Sequence, residues 1–175
     1  MTARPLRSIE SIETPRLTGL HVRDDDFTDL VAMGKDAVVM ATLGGVRTEQ
    51  QTREHLDKSI EHWNVHGFGF WIFRDKTNGK TVGRGGLRRG HFGGNDEVEV
   101  AYALSAEFWG KGLATEIARA SVDIAFDQVD LNELVAFTLP TNVASRRVME
   151  KAGFNYERDI VHADLPHVLY RLRAG

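Results

Sequence analysis

The stretch that decides the fold is Glu97-Val98-Glu99-Val100-Ala101-Tyr102-Ala103-Leu104, followed after three residues by Phe108-Trp109-Gly110-Lys111-Gly112-Leu113-Ala114-Thr115-Glu116. The first part alternates and therefore predicts a strand, with Val98, Val100, Tyr102 and Leu104 on one face and Glu97, Glu99, Ala101 and Ala103 on the other. Two carboxylates thus share a face. The second part is punctuated by Gly110 and Gly112, which allow backbone conformations that a side chain forbids, and it leads into a helix. Successive N–H groups at such a helix start converge on an anion, so the turn is expected to hold a phosphorylated ligand.

Downstream, Ile117, Ala118, Ser121, Val122, Ile124, Ala125 and Val129 put a broad apolar stripe on a helix of about 14 residues. Leu134-Val135-Ala136-Phe137-Thr138-Leu139 is apolar enough for a strand covered on both faces. The strand–helix–strand order places it parallel to the strand ending at Leu104. Pro140 stops it, and Asn142 caps a short helix whose Ala144, Val148 and Ala152 are expected to point inward, with Gly153 at its C′ position. Residues 154–158 and 168–172 read as a closing strand pair.

Upstream, residues 16–23 read as a first strand with Leu20 and Val22 on one face, and Asp24-Asp25-Asp26 as a cap with a solvated turn. Helices are expected from Phe27 to about Met33 and from about Thr48 to Val65. Residues 68–74 and 81–88, joined by Thr77-Asn78-Gly79-Lys80, then make an antiparallel meander with residues 97–104, the last connection being a glycine-rich loop over residues 90–95.

With 175 residues and 42% hydrophobic composition, the chain supports one domain with a full core. It contains no cysteine, which excludes a disulfide scaffold, thiolate catalysis and a sulfur-built metal site, and fits a reducing compartment such as the cytoplasm. No apolar run approaches the roughly 20 residues of a membrane span, and Met1-Thr2-Ala3-Arg4-Pro5 starts no apolar signal core. A net charge of −3 gives no reason to expect a nucleic-acid surface. Gly110-Lys111-Gly112 lacks the spacing and the Gly-Lys-Ser/Thr ending of a P-loop. It departs from the dinucleotide fingerprint at Thr115, and Glu133 precedes the next strand where that fingerprint wants an acid at its end. His62 and His66, four apart on a helix, have the spacing of metal ligands but no evident third ligand, and are expected on a wet face. Trp63, Phe68, Phe70 and Trp71 could line an acceptor pocket or simply fill the core.

Trp109-Gly110-Lys111-Gly112-Leu113-Ala114 resembles the acyl-coenzyme A pyrophosphate loop of the GNAT N-acetyltransferase superfamily, in a Trp-Gly-Lys-Gly variant similar to the RimJ/RimL ribosomal-protein N-acetyltransferase branch. Glu13-Thr14-Pro15-Arg16-Leu17 resembles that branch's opening, Glu99-Val100-Ala101-Tyr102 its fourth strand, and Asn142-x-x-Ser145 with Glu150-Lys151-Ala152-Gly153-Phe154 its closing motif. The resemblance implies a single GNAT domain over residues 1–175, of mixed α/β class, with a mostly antiparallel sheet whose two central parallel strands splay apart and are flanked by helices. Pantetheine would pair with the backbone of residues 98–104, as an added strand would. The implied cofactor positions are Val100, Tyr102, Leu104, Trp109, Gly110, Lys111, Gly112, Leu113, Ala114, Thr115, Asn142 and Ser145.

The same resemblance implies acetyl-coenzyme A as acyl donor, no metal, and a primary amine as acceptor, either a protein N-terminus or a small molecule. Neither nucleic acid nor membrane is implied as a partner; homodimers are common among such proteins. Glu99 is the implied general base, with Glu97 second, unless it pairs with Arg84 or Arg88 on the neighbouring strand. The thioester oxygen would meet a backbone N–H at a bulge near Ala101 to Ala103. Met149 occupies the place of the tyrosine that many members use to protonate the thiolate, which leaves Ser145 as the candidate there and Tyr102 and Tyr156 as weaker ones. Residues 24–67 and 159–166 would build the acceptor pocket. The alternative is an idle acyl-coenzyme A-binding sensor or scaffold.

Overall fold

A computed structural model describes residues 9–175. In chain order the strands are β1 (Ser11–Glu13) and β2 (Leu17–His21), followed by the helices α1 (Phe27–Lys35), α2 (Ala37–Met40) and α3 (Glu49–His66). The meander β3 (Phe70–Asp75), β4 (Thr81–Phe92) and β5 (Asn95–Leu104) leads to α4 (Leu113–Asp127), β6 (Glu133–Thr138), α5 (Val143–Lys151), β7 (Asn155–His162) and β8 (Leu165–Arg173). All eight strands form one sheet in the order β1-β2-β3-β4-β5-β6-β8-β7. Every neighbouring pair is antiparallel except β5 and β6. This is the mixed sheet with a central parallel pair that the sequence implies. Among the described residues no helix is long and apolar enough to cross a membrane.

The apolar stripe of α4 does what its spacing requires: Leu113, Ile117, Ala118, Val122, Ile124 and Ala125 are buried. Ser121 is buried among them, and its hydroxyl donates to the Ile117 carbonyl at 2.8 Å, so that hydroxyl is not stranded. A Cβ on Gly85 would lie 2.3 Å from Ile117 Cγ2, so the missing side chain sets how closely α4 approaches the sheet. Each fully buried aliphatic side chain in this layer contributes on the order of 1.5–3 kcal/mol. Helices α1 to α3 cover the opposite face, where Met33, Val39 and Met40 pack on Ala103.

Several local expectations need correction. Strand β2 is shorter than residues 16–23, while β1 and the four-residue α2 were too short to show a period. Asp26 does not cap α1 with its side chain; buried, it accepts from the Arg23 N–H at 2.8 Å and from Arg74 at 2.9 Å. The supposed loop over residues 90–95 is mostly strand, and only Gly93 and Gly94 turn between Phe92 and Asn95. Strands β7 and β8 likewise extend to a two-residue turn at Ala163 and Asp164. On α5, Ala144 is exposed and the buried residue is Met149.

Candidate active site

Strands β5 and β6 share a single registered rung, Glu99 opposite Val135. Beyond it β6 pairs only with β8, out to Thr138 opposite Val168, while β5 stays with β4 out to Leu104 opposite Gly83. The backbone of residues 100–104 is therefore left without a strand on its β6 side. Extended backbone whose N–H and C=O groups lack a ladder partner is a template for another extended chain. The β4–β5 register runs unbroken from Gly83 to Phe92, so the bulge expected near Ala101 to Ala103 is absent from that ladder. The opening arises because β6 diverges.

At the end of β5, the Trp109 indole N–H donates to the Leu104 carbonyl at 2.9 Å and fixes the direction in which the chain leaves the strand. Gly110 (φ 72°) and Gly112 (φ 78°) then take left-handed conformations, and Gly112 precedes α4 with no side-chain cap. The first N–H groups of α4 thus have no partner from a capping side chain. Lys111 is exposed, its ammonium 5.5 Å from the centre of the Phe108 ring. Its carbonyl accepts from Arg16 Nη1 at 2.7 Å, and Arg16 Nε donates to Glu116 Oε2 at 2.7 Å. Thr14 Oγ1 donates to the other oxygen of Glu116 at 2.6 Å. Against the upward push of burial, these donors hold the Glu116 carboxyl below the usual range. Thr14 and Arg16, recognisable in the sequence only as an opening motif, thereby tie the β1–β2 turn to the glycine turn.

The two shared-face carboxylates of β5 have separate fates. Glu97 is buried in a two-pronged ion pair with Arg171, at 2.7 and 3.1 Å, so both of its oxygens are engaged within the fold. Glu99, only 4% exposed, accepts from Arg88 Nε at 2.9 Å through Oε2, and Arg88 Nη2 reaches the same oxygen. Its place is thus buried, not solvated, and its arginine partner is Arg88. Burial pushes the Glu99 carboxyl up, and the charge and hydrogen bonds of Arg88 pull against it without cancelling the rise.

On the other face, Tyr102 reaches from β5 to α5. Its hydroxyl lies 3.0 Å from Ser145 Oγ and donates to the Ser145 carbonyl at 3.1 Å. Burial raises the Tyr102 pKa, so the phenol is protonated at neutral pH. Asn142 caps α5 by accepting from the Ser145 N–H at 3.2 Å. Met149 is 3% exposed and packs in the core, whereas Tyr156 is exposed and its hydroxyl donates to Asp159 at 3.0 Å.

A cavity of about 420 Å³ opens between α1–α3 and β3–β5, on the face that carries Glu99. Its lining includes Arg47, Lys58, Arg84, Arg88 and Arg89, and no acidic residue among the described residues. The early helices wall this cavity, residues 159–166 are not in its lining, and β4 supplies Arg84, Arg88 and Arg89. Arg84 and Arg88 were legible, since residues four apart on a strand share a face, and both sit opposite β5 residues of the Glu99 face. Phe70 lines the cavity, while Trp63, Phe68 and Trp71 belong to the core. His62 is not on a wet face: the Arg89 N–H donates to Nε2 at 2.9 Å, which leaves Nδ1 to donate to the Phe68 carbonyl at 2.9 Å. Both ring nitrogens are used within the fold.

A sequence profile of the Acetyltransferase (GNAT) domain matches residues 16–155, from the Arg16 lock through the turn at Gly110 to α5. The chain belongs to the GNAT acetyltransferase family. As a GNAT protein it is an acetyltransferase, and acetyl-coenzyme A-dependent N-acetyl transfer is the family's general chemistry. Its similarity to the uncharacterized protein YkkB of Bacillus subtilis is 29% identity over 169 residues, covering 97% of this chain and 91% of that one. An acetyltransferase from Agrobacterium tumefaciens strain C58 has the same fold, at TM-score 0.85 and 24% identity over 99% of this chain and 100% of the other. The ribosomal L7/L12 α-N-protein acetyltransferase RimL, solved with coenzyme A, shares the fold at TM-score 0.76 and 18% identity, over 94% and 98% of the two chains.

Proposed function

We propose that this GNAT protein transfers an acetyl group from acetyl-coenzyme A to a primary amine by direct attack in a ternary complex. The single rung between Glu99 and Val135 carries the reading, because it leaves a slot that begins beside a buried carboxylate and ends at the glycine turn. The free backbone of residues 100–104 fits the amides of a pantetheine arm, and residues 110–115 fit a pyrophosphate. Val100 and Leu104 are buried and keep β5 in place, so their contribution to binding is through their backbone.

Acetyl-coenzyme A supplies an activated acyl carbon and a thiol leaving group. Glu99 accepts the proton that the attacking nitrogen loses, directly or through a water, and its raised pKa makes it a better base than a solvated carboxylate. A backbone N–H in the unpaired part of β5 polarises the acyl oxygen. As the new C–N bond forms and the C–S bond breaks, Tyr102 gives its proton toward the sulfur and is resupplied through Ser145. A chain without cysteine fits direct transfer, and it also fits a reducing cytoplasm. The sequence Trp109-Gly110-Lys111-Gly112 supports a place beside the RimJ/RimL branch, with a protein N-terminus or a small molecule as the amine.

The test is release of free thiol from acetyl-coenzyme A over a panel of amines, with thermal shift measured alongside. Stabilisation by coenzyme A and release with at least one amine are expected. Stabilisation without release on any amine would reduce the protein to an idle binding module, and no stabilisation would overturn the coenzyme A reading.

A further inference from the structure

Arg47 and Arg84 have no carboxylate within ion-pair distance among the described residues, although both line the cavity beside Glu99. Glu54 lies beside Arg47 along an adjoining hollow without forming an ion pair with it, and one oxygen of Glu99 is taken by Arg88. Arg84 leans on the Phe70 ring at 4.8 Å, and Arg47 is held at the rim by its backbone N–H, which donates to the Gly34 carbonyl at 2.7 Å. Thr52 is 5% exposed and lines the same cavity, and its hydroxyl has no hydrogen-bond partner.

Charges gathered in this way cost stability unless something offsets them. Burial, then repulsion from Arg47 and Arg88, brings Arg84 down to about 10. Burial and the charge of Arg88 lower Arg47 as well. Partial burial and then the cations Arg47, Arg84, Lys58 and Arg88 hold His55 at about 4, so it adds no charge at neutral pH. A carboxylate or phosphate group entering the cavity would relieve this repulsion and give the guanidinium groups and the Thr52 hydroxyl their missing acceptor.

We infer that the amine acceptor is anionic, carrying a carboxylate or phosphate that Arg47 and Arg84 bind while its amino group faces Glu99. This rests on the transferase reading above for the role of the amine, but not for the anion site. Cationic acceptors, polyamines and aminoglycosides among them, are disfavoured because the cavity repels them. The cavity volume suits a small molecule or the first residues of a peptide.

The experiment compares matched pairs differing only in the anion: β-alanine with propylamine, phosphoethanolamine with ethanolamine, and an Asp-leading with an Asn-leading peptide. Each is measured twice on the intact protein saturated with coenzyme species, as thiol release with acetyl-coenzyme A and as calorimetric binding with coenzyme A. In at least one pair the anionic member should be favoured by about 10- to 100-fold in kcat/KM and in Kd. In the Arg47→Met and Arg84→Met variants that ratio should fall by about 10-fold each, and Arg47→Lys should restore part of it. The pair preference in the wild type needs no variant to fold. Binding preference without any thiol release would keep the anion site and overturn the transferase reading. Equal treatment of both members, preference for the cationic amines, or a preference for succinyl- over acetyl-coenzyme A with neutral amines would each overturn the anionic acceptor.

Discussion

Glu97 and Glu99 stand two residues apart on one face of β5, yet their surroundings assign them different work. Arg171 grips both oxygens of Glu97, whereas Arg88 engages one oxygen of Glu99 and leaves the other without a hydrogen bond among the described residues. Alternation in the sequence was enough to put the two on one face. It was not enough to find Arg171, which lies 74 residues away and meets Glu97 only because β8 pairs with β6. The same limit hid the contact between Tyr102 and Ser145. If these two form the proton path to the thiolate, Tyr102→Phe should lower kcat by about 10- to 100-fold with little change in KM for acetyl-coenzyme A. Ser145→Ala should cost less, and the double variant no more than Tyr102→Phe alone, because residues acting in series are not additive. Steady-state kinetics of the three variants checks this; additive losses would break the path.

The glycine turn depends on elements distant in sequence. Arg16 binds the Lys111 carbonyl and Glu116 at once, so the first connection of the sheet braces the start of α4. Arg16→Ala should raise KM for acetyl-coenzyme A by about 5-fold at most, since an exposed ion pair contributes roughly 1 kcal/mol or less. Unchanged KM would mean that the turn holds its shape unaided. The β7–β8 hairpin offers a separate check on the fold: Ala163 (φ 48°) and Asp164 (φ 61°) occupy a two-residue turn that prefers Asn-Gly. Replacing both, Ala163→Asn with Asp164→Gly, should stabilise the protein by about 1 kcal/mol and raise Tm by about 2–4 °C. Calorimetric melting decides, and a lower Tm would contradict the turn geometry.

Long periodic elements such as α4 and the meander were readable because burial imposes a period, and the strand–helix–strand order then implied the parallel pairing of β5 and β6. Short pieces such as β1 and α2 carry no period, and the strand end at residues 90–92 was hidden by a glycine-rich stretch that read as loop. The cationic cavity is a property of the whole molecule, since Arg47 comes from the α2–α3 loop, Lys58 from α3, and Arg84 and Arg88 from β4. Only the pair on β4 had a local signal. The whole arrangement places the Glu99 carboxylate on one face of the splayed strands and the Tyr102–Ser145 hydroxyl pair on the other, with the unpaired backbone of residues 100–104 between them.

The most direct measurement of that arrangement is the pH dependence of kcat/KM on the best amine for the wild type and for Glu99→Gln, with Arg88→Met as a control for the broken ion pair. The wild type should show an acid limb above the usual carboxylate range, because burial raises the Glu99 pKa. In Glu99→Gln that limb should vanish, with activity about 100-fold lower at pH 7 and rising with pH as the free amine becomes available. Arg88→Met should keep an acid limb. Superimposable profiles for the wild type and Glu99→Gln would contradict Glu99 as the base.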